Sequence, residues 1–207
     1  ALIESLISKQ IRQVILITLG VALLAGFSYT SSYLFNHMLE PHQQDRINVW
    51  LKPENCDPRG SLYNILQSKI AIGSGGFSGK GYLHGTMTKL NYVPEQSTDF
   101  IYSIIGEEHG FIGSIAVITL FIILMLRVID IGDRARMPFI RHYAFGLVGV
   151  LFTHFFINIG MTMGIMPVIG IPLPFISSGG SAMLGFSLLV GILLSMDSSW
   201  MRSRRVV

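Results

Sequence analysis

The residues whose types and spacing could do chemistry are concentrated in one stretch, Asn91-Tyr-Val-Pro-Glu-Gln-Ser-Thr-Asp-Phe-Ile-Tyr-Ser-Ile-Ile-Gly-Glu-Glu-His109. Pro94 stops any preceding helix, Ser97, Thr98 and Asp99 are cap residues, and an apolar helical run follows. Asp99 is therefore expected at or beside the N-terminus of a helix. The helix dipole there favours the ionised carboxylate, which can serve as a base or simply as a cap. Glu107 and Glu108 lie about two turns further on. At 100° per residue Glu107 falls about 80° from Asp99 and Glu108 about opposite, so only Glu107 could share its face. Ion pairing with another helix is the plainer role for both glutamates.

Other patterns are weaker. Gly73-Ser-Gly-Gly-Phe-Ser-Gly-Lys-Gly81 invites a phosphate-cradling reading, because backbone amides in glycine-rich turns can bind anions. The spacing refuses a Walker loop, since Ser74 stands where its first glycine is needed and Gly81 where Ser or Thr should follow Lys80. Neither a G-x-G-x-x-G frame nor a nucleophile elbow fits, as Ser74 and Ser78 each miss one flanking glycine. A flexible loop and a turn that helps bind a lipid phosphate both stay open. The histidines at 37, 42, 84, 109, 142 and 154 are scattered, and Glu107-Glu108-His109 lacks the second histidine of H-E-x-x-H. His154 and Asn158 are four apart in an apolar run, as helix-to-helix glue or as part of a proton or ion pathway. The one cysteine, Cys56, excludes an internal disulfide and a multi-cysteine metal site.

The elements that must position these residues are membrane helices. Half of the 207 residues are hydrophobic and only 13% are charged, with a mean hydropathy of +0.55, which is wrong for a soluble domain. Fifteen Lys and Arg scattered along the chain make no stripe that could track nucleic-acid phosphates. Crossing the hydrocarbon takes about 20 mostly apolar residues. Gln13–Asn36 and Gly110–Leu126 each supply such a run, and the uncharged stretch Tyr143–Met196 must hold two, broken by the Gly- and Pro-rich segment Met163–Pro174.

The expected organisation is an all-α polytopic membrane protein. A cytoplasmic segment (1–12) leads into a transmembrane helix (13–36), followed by a large extracytoplasmic loop (37–98) and a helix that starts outside and crosses (99–129). A cytoplasmic loop (130–142), a transmembrane helix (143–162), an extracytoplasmic loop (163–178), a last transmembrane helix (179–197) and a basic tail (198–207) complete it. Orientation follows from the positive charges near the span ends. Lys9, Arg12, Arg127, Arg134, Arg136, Arg141, Arg202, Arg204 and Arg205 all fall on the side of the termini, which is expected to be cytoplasmic. His37–Glu108 carries six basic against eight acidic residues and is expected outside. The N-terminal apolar run is too long for a signal peptide and lacks a small-residue cleavage site. The chain opens on Ala1 rather than Met, so it is expected to begin within a larger protein.

A connection this long is usually functional or disordered. Its aromatic residues, among them Trp50, Tyr63, Phe77 and Tyr82, argue for order. Leu62, Ile65, Leu66, Lys69, Ile70 and Gly73 follow helical spacing, which predicts a short interfacial helix. Its apolar stripe would either pack on the bundle or recognise lipid.

Several ordered blocks together resemble a known family. They are Asp57-Pro-Arg-Gly60, Gln67-Ser-Lys-Ile-Ala-Ile-Gly-Ser-Gly-Gly-Phe77, Gly79-Lys-Gly81, Gly85-Thr86, Tyr92-Val-Pro-Glu95, Thr98-Asp-Phe-Ile101, Gly106-Glu-Glu108, Pro174-Phe-Ile-Ser177 and Gly179-Gly-Ser181. The chain resembles the shape, elongation, division and sporulation (SEDS) family, its elongation branch more than its division branch through Gln67–Gly81. The likeness covers nearly the whole chain but only the C-terminal part of the family's roughly ten-helix fold, against four spans found here by length. Ser178 departs from it, since family members often carry Tyr before the Gly-Gly pair.

The resemblance implies a peptidoglycan glycosyltransferase that polymerises lipid II at the outer face of the bacterial cytoplasmic membrane during elongation. It maps the family's essential acidic residue to Asp99 as general base in an inverting transfer. Arg59, Lys69 and Lys80, with Glu95, are the expected substrate-binding residues, since negative charge developing on a pyrophosphate leaving group needs cationic partners or a divalent ion such as Mg or Mn. A class B penicillin-binding transpeptidase and other cell-elongation proteins are the implied partners. A lipid II flippase and a non-catalytic scaffold for the transpeptidase are the alternatives. The flippase would need polar groups at mid-depth, for which His154 and Asn158 are the candidates.

Overall fold

A computed structural model of the chain describes residues 2–56, 60–90, 92 and 96–205. The elements are α1 (Leu2–His37), α2 (Pro41–Leu51), a 3-10 turn (Pro53–Asn55), α3 (Ser61–Ser74), α4 (Thr86–Lys89), α5 (Ile101–Arg134), α6 (Pro138–Thr162) and α7 (Gly180–Arg205). There is no strand among the described residues. Four stretches, Ile15–His37, Ile101–Arg134, Pro138–Thr162 and Gly180–Ser199, are long and apolar enough to cross a membrane. The protein is a multi-pass membrane protein.

Contacts divide the chain into two units, 1–45 and 46–207. In the first, the large apolar side chains of α1 from Ile15 to Leu34 are exposed, Leu23 and Leu24 among them, as a helix suited to an apolar solvent requires. The Gln44 amide donates to the carbonyls of Phe35 in the last turn of α1 and of Leu39 just beyond it, at 3.0 and 2.9 Å, as the carbonyls at a helix end require.

In the second unit α5, α6 and α7 pack around Phe121, Val128, Ile131, Leu147, Leu151, Phe186 and Leu193. Pro138 opens α6 at a position where its missing N–H costs nothing. Arg134 at the end of α5 donates to the buried Asp197 of α7 at 2.7 Å. Helix α3 lies against α5 and α6, and its buried stripe is Ile65, Ser68 and Ala71, with the Ser68 hydroxyl donating to the Thr162 carbonyl at 3.0 Å. This corrects the stripe read from spacing: Leu66 and Ile70 are about half exposed, and Lys69 and Gly73 are exposed as well. Small residues let α3 approach the bundle closely, and that closeness rather than hydrophobicity selects the buried face.

Helix α5 is interrupted at Gly110, where φ is 63° and ψ is −155°. Across the break the helical ladder is replaced by bonds to the glycine-rich loop. The Glu107 and Glu108 carbonyls accept from the amides of Lys80 and Gly81 at 3.0 and 2.9 Å, while the amides of Phe111 and Ile112 donate to the carbonyls of Gly76 and Phe77 at 3.0 and 3.3 Å. The loop thus takes the place of one helical turn, and all four backbone groups are satisfied. Gly110→Ala puts a Cβ at a glycine-only backbone angle and against the Gly79 amide and the Phe77 carbonyl. It is expected to cost about 3 kcal/mol, read as a lowered melting point in detergent. Gly146→Ala, in open space on α6, should change stability by no more than about 0.5 kcal/mol in the unfavourable direction.

Candidate functional site

The turn Gln96–Phe100 delivers the chain into α5, whose N-cap is Phe100. Asp99 stands just outside the helix start. Phe100 is buried with Val49 of α2, Ile65 of α3 and Val168, so the apolar neighbour of Asp99 plugs into the unit and fixes the turn from below. From the other side the irregular segment 163–179 binds the same turn residue by residue. The Ser178 amide and hydroxyl both donate to the Ser97 carbonyl, at 2.9 and 2.8 Å. The Ser177 hydroxyl donates to the Thr98 carbonyl at 2.7 Å and accepts from the Leu173 amide at 2.8 Å. The Asn158 amide donates to the carbonyl of Asp99 at 2.9 Å and to that of Ile171 at 2.8 Å.

These bonds put the Asp99 carboxylate beside Gly170. A Cβ on Gly170 would sit 3.0 Å from Asp99 Oδ2, and its φ of +76° is one that side chains rarely adopt. Glycine therefore leaves the carboxylate room at its face, and Asp99 stays partly exposed.

Segment 163–179 is in turn held by α2. Trp50 Nε1 donates to the Ile165 carbonyl at 2.6 Å, and Arg46 Nη1 to the Ile169 carbonyl at 3.4 Å. The exposed Arg46 guanidinium thus lies one residue from the glycine that faces Asp99, with most of its five donors left for other acceptors. Lys69 is exposed on α3 with its ammonium over Gly164. Beside the break in α5, Ile72, Tyr102, Phe111, Ser114, Ile118 and Met163 line a largely apolar cavity of about 180 Å³.

Lys80 is placed differently. Its ammonium donates to Glu107 Oε1 at 2.7 Å and to the Thr86 hydroxyl at 2.8 Å. The same carboxylate, fully buried, accepts from the Thr86 hydroxyl at 3.2 Å and from the amides of Met87 and Thr88 at 2.9 and 3.0 Å. Glu107 therefore pairs with the glycine-rich loop and the start of α4 rather than with another long helix. The reason is the break at Gly110, which draws that loop against α5. The amides of Gly79, Lys80 and Gly81 are all engaged by protein carbonyls, so the phosphate-cradling turn lacks those donors. Glu107 sits six residues into α5, about 9 Å of axial rise beyond Ile101.

Of the expected substrate-binding residues, the structure brings Lys69 to the segment that flanks Asp99 and turns Lys80 toward Glu107. Arg59 and Glu95 lie outside the described residues. Spacing alone drew no attention to Arg46, although Arg46, Val49 and Trp50 on adjoining turns of one short helix were the available signal. No group of three or more His, Cys, Asp or Glu side chains that could hold a metal ion converges among the described residues.

Residues 5–201 match the family model for FtsW, RodA and SpoVE, described as cell cycle proteins. The chain belongs to this family. It is 44% identical over 183 residues to peptidoglycan glycosyltransferase MrdB of Escherichia coli K12, covering 88% of this chain and 48% of that relative. It is 41% identical over 175 residues to peptidoglycan glycosyltransferase RodA of Treponema pallidum, covering 84% and 40%. To the probable peptidoglycan glycosyltransferase FtsW of Idiomarina loihiensis it is 41% identical over 164 residues, covering 77% and 39%. The fold matches a chain in a solved structure described as structural coordination of polymerization and crosslinking by a peptidoglycan synthase complex. There the TM-score is 0.64 and the identity 26%, over 86% of this chain and 48% of that one. The chain thus spans about half the length, or somewhat less, of the curated relatives it matches.

The Lys80–Glu107 pair yields a direct test. Lys80→Met strands a buried carboxylate and is expected to lower stability by about 3 kcal/mol. The double variant Lys80→Met/Glu107→Gln should recover more than half of the loss in the same melting assay; equal losses would show that the pair does not organise the loop.

Proposed function

We propose that this chain carries the catalytic region of a peptidoglycan glycosyltransferase that polymerises lipid II during cell elongation. The observation that carries the reading is the placement of Asp99: a carboxylate at the start of a membrane-length helix, its main chain held by Asn158 and its flanking residues by Ser177 and Ser178, with Gly170 leaving space at its face.

The chemistry suits that position. A sugar hydroxyl is a poor nucleophile until a positioned base takes its proton. Asp99 accepts the hydroxyl proton as the oxygen attacks the anomeric carbon of the donor. The bond from that carbon to the pyrophosphate breaks, the configuration inverts, and the leaving group departs with added negative charge. Arg46 and Lys69, on the rim of segment 163–179, are suited to stabilise that charge, with Arg59 and Lys80 as further candidates. Both substrates keep their lipid tails in the bilayer and their sugars outside. A base at the outer end of a span reaches the reacting atoms without extracting either lipid.

In this reading the protein lies in the bacterial cytoplasmic membrane with both ends of the chain in the cytoplasm, as the arginines near the span ends favour. It works with a class B penicillin-binding transpeptidase. A flippase finds less support. Asn158 lies about 6 Å from the end of α6 by helical rise, and both of its N–H donors are taken by backbone carbonyls. The ring of His154 packs edge-on against Phe186.

Polymerisation of labelled lipid II by the full-length protein with its transpeptidase partner tests the assignment. Asp99→Asn, checked for folding and partner binding, should lose about 10²- to 10⁴-fold in rate; equal glycan from both would discard Asp99 as the base. For topology, a membrane-impermeant maleimide added to intact cells should label Cys56. Labelling only after permeabilisation would invert the proposed orientation.

A further inference from the structure

We propose that Asn158 is the positioning residue of the site, fixing the main chain of Asp99 against segment 163–179; this rests on the reading of Asp99 as the base. Asn158 is fully buried near the end of α6. Its amide nitrogen donates at 2.9 Å to the Asp99 carbonyl and at 2.8 Å to the Ile171 carbonyl, while its buried Oδ1 has no hydrogen-bond partner among the described residues. The orientation of the carboxamide is forced, because turning it over would set its oxygen against two carbonyl oxygens.

The imbalance is informative. Both donors go to two points of irregular backbone, while the acceptor has no partner among the described residues. Both carbonyls lie outside the regular helices: Asp99 precedes the N-cap of α5, and Ile171 lies in the segment between α6 and α7. The two points Asn158 ties together are the residue bearing the carboxylate and the neighbour of Gly170, the glycine that faces it. Leucine matches the size of Asn158 but offers neither carbonyl a donor, and aspartate opposes both with oxygen. Glutamine keeps the two donors on a longer stem. The role is distinct from that of Ser177 and Ser178, which hold residues 98 and 97.

The test uses the full-length protein with its partner, comparing wild type, Asn158→Leu and Asn158→Gln, by lipid II polymerisation kinetics and by hydrogen exchange of backbone amides. For Asn158→Leu, kcat per folded protein is expected to fall about 30-fold or more with KM for lipid II within about threefold. Exchange should quicken in 96–100 and 170–178 while 76–88 keeps its wild-type rates. Asn158→Gln should recover at least a third of the lost log rate. Unchanged exchange in 96–100, acceleration spread evenly through 76–88 as well, or a loss confined to KM would each overturn the proposal. If wild type makes no glycan yet Asn158→Leu loosens those two segments alone, the anchoring stands and the glycosyltransferase reading falls.

Discussion

Backbone polar groups at membrane depth must find partners inside the protein, and the architecture follows from how this chain meets that rule where it is not helical. At Gly110 the ladder of α5 opens, and the glycine-rich loop supplies the two donors and two acceptors that the break leaves bare. The exchange is possible only because the chain can come within contact of itself. Gly79 abuts the Glu108 carbonyl and Gly110 abuts the Gly79 amide, each at a positive φ. The glycine-rich loop is thereby docked on a membrane-length helix.

Once the loop is drawn in, charges follow it. Glu107 is carried into the interior, where an unpaired carboxylate would be costly, and there it meets the Lys80 ammonium, a hydroxyl and two amides at the first turn of α4. At the far end of α5 the same logic pairs Arg134 with the buried Asp197. The two ion pairs thus bracket the helix whose start presents Asp99. One couples it to the long connection and the other to the last span.

Around Asp99 the rule is met mostly by side chains, with the Ser178 amide adding one backbone bond. Asn158, Ser177 and Ser178 each bond a carbonyl of consecutive residues 99, 98 and 97, and Phe100 closes the turn by burial. A residue supported this way keeps its carboxylate beside Gly170 while it stays partly exposed. That combination of a fixed main chain and partial exposure suits the proposed role of Asp99 as a positioned base.

Much of the fold was legible in the residues taken in order, and much of the site was not. Four apolar stretches of membrane length define an all-helical, multi-pass protein because the bilayer sorts segments by hydropathy and length, both local properties. Asp99 beside a helix start is also local, although the N-cap proves to be Phe100, with no side-chain cap bond, rather than one of the Ser, Thr or Asp residues before it. The buried face of α3 is not local: Ser68 and Ala71 go inward while Leu66 and Ile70 stay out, since an apolar surround removes the penalty for exposing leucine. Least legible were pairings across distance. Glu107 with Lys80 spans 27 positions, Asn158 with Asp99 spans 59, and Arg46 with Ile169 spans 123. Hydropathy and capping set what each segment is, but which polar groups meet was decided only by the tertiary structure, because a buried donor takes its partner from whatever backbone the packing leaves unsatisfied.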